Sequence, residues 1–98
     1  MTNYKVIVYT EIHPTVLNTI ILALNYRNVH INTINQEESI IKGINKYTLD
    51  TMSQNENMPN VIRQVEKYVY VLKAYLSSSV DEVISEEKER ELLKNYLN

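Results

Sequence analysis

His13 and His30 are the only imidazoles in this chain, and it has no cysteine. The missing thiols exclude a disulfide scaffold, a thiolate zinc site and a catalytic cysteine. The two histidines fall on different segments and no acidic cluster accompanies either. They read as surface or edge residues, which needs no special role. Ser77, Ser78 and Ser79 form a polar linker. Gly43 is the single glycine, so neither a Gly-x-Ser-x-Gly elbow nor a phosphate-binding loop can be built. Glu37 and Glu38 belong to a turn where carboxylates are simply solvated. No pair of titratable groups is forced into unlike environments, as acid–base catalysis requires. Tyr68, Tyr70 and Tyr75 have the chemistry of a base-stacking platform, but such a platform needs central-strand aromatics flanked by Arg or Lys. They are assigned to core and interface packing. Nothing in the residue pattern predicts catalysis, and the expectation is a non-enzyme with no cofactor of its own.

Charge points the same way. Ten Lys and Arg are scattered among twelve Asp and Glu, for a net charge of −2, with no basic stripe. Nucleic-acid affinity rests largely on phosphate neutralisation, so no nucleic-acid partner is expected. No apolar run is long enough to span a bilayer. The first residues lack the apolar core of a signal peptide, which predicts a cytoplasmic protein with no membrane partner. With eight Tyr and no Phe or Trp, tyrosine must supply all the aromatic volume. Each buried Tyr hydroxyl then needs a partner.

Positioning these residues takes six elements. Tyr4 to Thr10 alternates and is β-branched, so it predicts a first strand. Pro14 suits a first helical turn. Val16, Leu17, Ile20, Ile21 and Leu24 then lie on one face of a helix from Thr15 to Arg27. Asn28 is a tolerated helix stop in the left-handed conformation. Val29 to Gln36 predicts a second strand, with Val29, Ile31 and Thr33 on one face and His30, Asn32 and Ile34 on the other. A hairpin over Glu37 to Gly43, where Gly43 supplies positive φ or a bulge, leads to a third strand, Asn45 to Met52. A helix from Pro59 to Tyr68 buries Val61, Ile62, Val65 and Tyr68. A fourth strand follows from Val69 to Leu76. The order βαββαβ predicts an α+β, ferredoxin-like sandwich: a four-stranded antiparallel sheet with two helices on one face.

Residues 1–76 form this domain, and 77–98 a linker with a C-terminal helical tail. Ser79 and Glu82 have capping-box spacing. Val80, Val83 and Ile84 open the tail. Leu92, Leu93, Tyr96 and Leu97 close it after the charged stretch Glu86 to Glu91. Its apolar ends need a surface. That surface is either a partner protein or the open face of its own sheet.

The segment Glu11-Ile12-His13-Pro14-Thr15-Val16-Leu17 resembles the loop of ACT domains that precedes Val-Leu at the start of the first helix. Asn25 to Ile34 resembles the passage into strand two of acetolactate synthase small subunits. Val65 to Lys73 resembles their passage from helix two into strand four. Together these motifs span residues 4–76. The resemblance implies an ACT domain like the short, single-domain small subunits of that enzyme. In that family the small subunit activates a catalytic large subunit carrying thiamine diphosphate, FAD and magnesium. In many members it also binds a branched-chain amino acid such as valine. A free-standing ACT dimer sensing a small amino acid is the alternative, and a small ferredoxin-like enzyme or electron carrier a distant third. The resemblance further implies a homodimer with helix one and strand two near the two-fold axis, strands two and four being sheet edges.

The effector site implied by the resemblance comprises Ile12, His13, Pro14, Thr15, Val16 and Leu17 of one protomer, with His30 and Ile31 of its neighbour. Three positions depart from the family pattern. Thr15 stands where the family uses Gly to bare its backbone N–H groups. Ile12 stands where effector-binding members place a side-chain amide, and His30 where they place Asn. A buried amino-acid ligand needs those hydrogen bonds, so valine binding is expected to be millimolar or weaker.

Overall fold

The computed structural model describes residues 1–77 and 86–96. The elements are β1 (Thr2–Glu11), α1 (Val16–Tyr26), β2 (Val29–Glu38), β3 (Ile44–Ser53), α2 (Met58–Glu66), β4 (Val71–Leu76) and α3 (Glu86–Leu92), followed by a 3-10 turn, Lys94–Tyr96. The sheet order is β2-β3-β1-β4, with every neighbouring pair antiparallel. This is the ferredoxin-like arrangement expected from the sequence. β2 and β4 are its edges.

Alternation in β1 builds both sides of the sheet. Val6 and Val8 face the two helices, with Tyr47 and Leu49 of β3 beside them. α1 closes that core with Val16, Ile20, Ala23 and Leu24, and α2 with Met58, Val61, Ile62 and Val65. Asn57 caps α2 by accepting the Asn60 N–H at 3.4 Å, and Pro59 occupies its first turn. Asn28 has φ +63 and Gly43 φ +91. Both are left-handed positions where the sequence places a helix stop and a hairpin.

Two expectations are corrected. Thr33 does not share a face with Val29 and Ile31. The β2–β3 register shifts between Ile31 and Thr33, so Ile31 opposes Thr51 while Thr33 opposes Asp50. The bulge inserts Asn32, and one extra residue flips every later side chain. Ile34 therefore joins the helix-side face opposite Leu49, and the Thr33 hydroxyl donates to Asp50 Oδ2 at 2.7 Å. β4 starts at Val71 and not at Val69, because Val69 and Tyr70 form the turn after α2. Tyr70 has φ +74, an uncommon conformation for a bulky residue.

The capping-box pair Ser79 and Glu82 lies outside the described residues. Where the tail is described, α3 folds back on its own sheet. Leu93 is fully buried with Ile7, Tyr9 and Ile44, and Ile41, Leu72, Tyr75 and Leu92 pack around them. One end of the face opposite α1 and α2 is thus covered by this chain's own C-terminal segment, while Thr33 and Asp50 on the same face are exposed. Tyr9, fully buried, donates its hydroxyl to Glu89 Oε2 at 3.1 Å.

Candidate functional site

β1 ends where its partner strand turns away. The Glu11 N–H donates to the Tyr70 carbonyl at 2.8 Å, and the chain then leaves the sheet toward α1. Ile12 projects outward and is 61% exposed. The His13 ring lies flat on the Tyr70 ring, with centroids 4.0 Å apart and planes 13° apart. His13 Nδ1 accepts from the Thr15 N–H at 3.3 Å and lies 2.9 Å from Thr15 Oγ1. A nitrogen that accepts an amide proton carries a lone pair, so the neutral ring bears its proton on Nε2 and the Thr15 hydroxyl donates to Nδ1. Val16 N–H donates to the His13 carbonyl at 3.2 Å. The loop is therefore folded around the imidazole.

This geometry sets what α1 can offer a ligand. Thr15 occupies the cap position, but its hydroxyl is turned to His13 and makes no cap bond. Thr19 N–H and Oγ1 both donate to the Thr15 carbonyl. Among the described residues, no acceptor takes the N–H of Leu17 or Asn18. Those two donors, at the positive end of the helix, suit an anionic group such as a carboxylate. Thr15 N–H, which a glycine loop would present, is already bonded to His13. Val16 is buried and Leu17 half-buried against the core. At the end of β1, Thr10 is fully buried with an Oγ1 that has no partner among the described residues.

His30 and Ile31 stand at the other end of α1, at the start of β2. The helix between them and the loop rises ~15 Å, so one chain does not bring the two halves of the candidate site together. His30 is exposed and Ile31 half-buried. Both line a groove of about 440 Å³ between α1 and β2, with Ile21, Asn25 and Ile34. Tyr70 is the contact that sequence reasoning missed. Its residue type announces neither the positive φ nor the stack on His13. Among the described residues, no group of three His, Asp or Glu side chains is gathered as a metal site would need, and no helix is long and apolar enough to cross a membrane.

No family model matches the sequence, and no curated protein matches it. Solved structures do. The chain superposes on the acetolactate synthase small subunit from Thermotoga maritima with a TM-score of 0.71 and 17% identity, over 83% of this chain and 50% of that one. It superposes on the ACT domain of GTP pyrophosphokinase from Chlorobium tepidum with a TM-score of 0.62 and 16% identity, over 76% of this chain and 96% of that domain. This is the ACT fold. A homoserine dehydrogenase from Thiobacillus denitrificans also matches, with a TM-score of 0.63 and 23% identity, over 76% of this chain and 16% of the dehydrogenase. The ACT fold here thus has counterparts in three proteins of different names. This chain spans half the length of the Thermotoga subunit.

Proposed function

We propose that this chain is a non-catalytic regulatory subunit, built on an ACT domain, that associates with the catalytic large subunit of an acetolactate synthase-like enzyme of branched-chain amino acid biosynthesis in the cytoplasm. The observation that carries the reading is the superposition on an acetolactate synthase small subunit over 83% of this chain. Thiamine diphosphate, FAD and magnesium would belong to the partner.

The sheet edges support a homodimer. Edge strands invite pairing unless they are blocked. On β4, the Ala74 N–H donates to Glu66 Oε2 at 2.9 Å, Lys73 lies 3.9 Å from the same carboxylate, and the Leu72 carbonyl accepts from the Tyr96 hydroxyl. Among the described residues, no side chain bonds to the backbone of β2 between His30 and Glu38. A two-fold axis beside β2 would run the two strands antiparallel. The start of one β2 would then lie near the end of the other, which is the end of the sheet carrying the Ile12–Leu17 loop. That arrangement brings His30 and Ile31 toward the partner's loop.

The test is addition of the chain to its catalytic partner. It should raise the rate of acetolactate formation and have no turnover alone; a partner equally active and stable without it would end this reading. A second reading, a free-standing dimer sensing an amino acid, is favoured by the two unbonded N–H groups of α1. Micromolar binding of valine, leucine or isoleucine in a calorimetric titration would select it.

A further inference from the structure

Beneath α3 the sheet presents a receptor with two matched features. An apolar site formed by Ile7, Tyr9 and Ile44 takes Leu93, which is fully buried. Two neutral donors converge on Glu89: the Ile40 N–H reaches Oε1 at 2.7 Å and the Tyr9 hydroxyl reaches Oε2 at 3.1 Å. Glu89 is 6% exposed, and no ion pair joins it among the described residues. Glu89 and Leu93 are four residues apart, so they lie on one stripe of the helix.

Three observations separate this contact from ordinary core packing. The main core between the helices and the sheet contains no residue of α3. Over the described residues α3 spans seven, Glu86–Leu92, and a helix of that length is not stable on its own. Its helical form depends on the face it covers. Finally, a buried carboxylate without a cation is a poor stabilising device, since an apolar residue of similar volume does as well or better. What it supplies is selectivity: only a segment with a carboxylate at one position and a large apolar side chain four later satisfies both the donors and the apolar site.

We propose that α3 is a reversible cover, and that the sheet face beneath it docks a helix with the same pair of anchors, a carboxylate and a large apolar residue four positions on, presented by a partner protein in competition with α3. The face is formed within one chain, so the proposal stands apart from the identity of the catalytic partner.

Amide hydrogen exchange on the full chain tests it. The Ile40 N–H, held by Glu89, and the Leu93 N–H, held by the Glu89 carbonyl at 3.0 Å, report the closed cover. They should share one protection factor, roughly 100-fold below that of the β1 ladder, because a cover opens without unfolding the core. Glu89→Ala, and independently Leu93→Ala, should lower protection at Ile40 by more than about tenfold, while β1, which loses at most the same factor, stays the better protected of the two. A capped peptide of residues 86–96, added to the Glu89→Ala protein, should restore protection at Ile40. Exchange of Ile40 and Leu93 only at the rate of β1 would make α3 an integral layer and overturn the proposal. So would an Ile40 amide that stays unprotected at millimolar peptide.

Discussion

Replacing Tyr9 by Phe tests a buried polar contact through its pH dependence. Tyr9 has no exposed surface, and its hydroxyl donates to Glu89. Burial first, and then the neighbouring carboxylate of Glu89 and the side chain of Tyr75, push its ionisation well above the ordinary phenol range near 10.0. The unfolded chain therefore loses this proton at a pH where the folded chain keeps it. Above pH ~10 the unfolded state binds fewer protons, so stability falls as pH rises. The loss is about 0.4 kcal/mol at pH ~10 and about 1.4 kcal/mol at pH ~11, with a limiting slope of ~1.4 kcal/mol per pH unit. The Tyr9→Phe variant has no proton to lose at this position. At neutral pH the same substitution removes a hydrogen bond to a buried carboxylate, costing about 1.5–3 kcal/mol. Wild type should thus be the more stable protein at pH ~7, and the gap should shrink by about 1.4 kcal/mol by pH ~11. Urea unfolding followed by circular dichroism, extrapolated to water at each pH, measures both numbers. A gap that stays constant across the alkaline range would refute the assignment of a buried, neutral Tyr9 hydroxyl.

Four further outcomes are expected. Leu24→Ala removes a fully buried side chain of α1 and should cost about 2–5 kcal/mol in urea unfolding. Gly43→Ala meets no atom within 4 Å but must hold φ +91, so a loss of about 1–2 kcal/mol would be purely conformational; an unchanged midpoint would contradict the left-handed hairpin. Glu66→Ala frees the Ala74 N–H on β4, and sedimentation should then show species larger than those of wild type; an identical distribution would mean that β4 is closed by something else. Replacing Ile12 and His30 by Asn and Thr15 by Gly should bring valine affinity from the millimolar range toward tens of micromolar, a gain of about 2–3 kcal/mol, read by calorimetric titration.

The elements were legible because each buries a single stripe. The Val16, Ile20 and Leu24 spacing allowed no reading but a helix, and Asn28 and Gly43 stand where only a left-handed residue ends an element cleanly. What was not legible arises from contacts distant in sequence. The bulge at Asn32 has no signature of its own in an Asn- and Thr-containing strand, yet it exchanges Thr33 for Ile34 on the helix-side face. Glu89 sits in a run of alternating charges that reads as a solvated helix. Its burial is set by a tyrosine 80 residues away. The composition required buried tyrosine hydroxyls to find partners, but it did not say which carboxylate would answer Tyr9. Of the candidate residues, Ile12 to Thr15 lie between β1 and α1, and Val16 and Leu17 open α1. The engagement of Thr15 N–H by His13, and the Tyr70 ring beneath it, depend on a backbone conformation that no residue type announces.

The surfaces left open narrow how this chain can associate. The helix-side face of the sheet is covered by α1 and α2, and one end of the opposite face by α3. β4 has its outward groups answered by Glu66 and by Tyr96, whose hydroxyl is 3.3 Å from the Leu72 carbonyl. Among the described residues, β2 alone of the strands keeps an unblocked edge, and the bulge at Asn32 bends it without closing it. The candidate loop is likewise half-occupied, since His13 already holds one of the N–H groups that a carboxylate would need. A dimer through β2 is therefore the arrangement that would both pair the free edge and complete the loop with His30 and Ile31. It would also account for an α1 without a charged residue in its 11-residue span, because charged residues are depleted at interface cores. In this arrangement, loss of the dimer and loss of any amino-acid binding must coincide. A variant that dissociates yet still binds ligand would break that link.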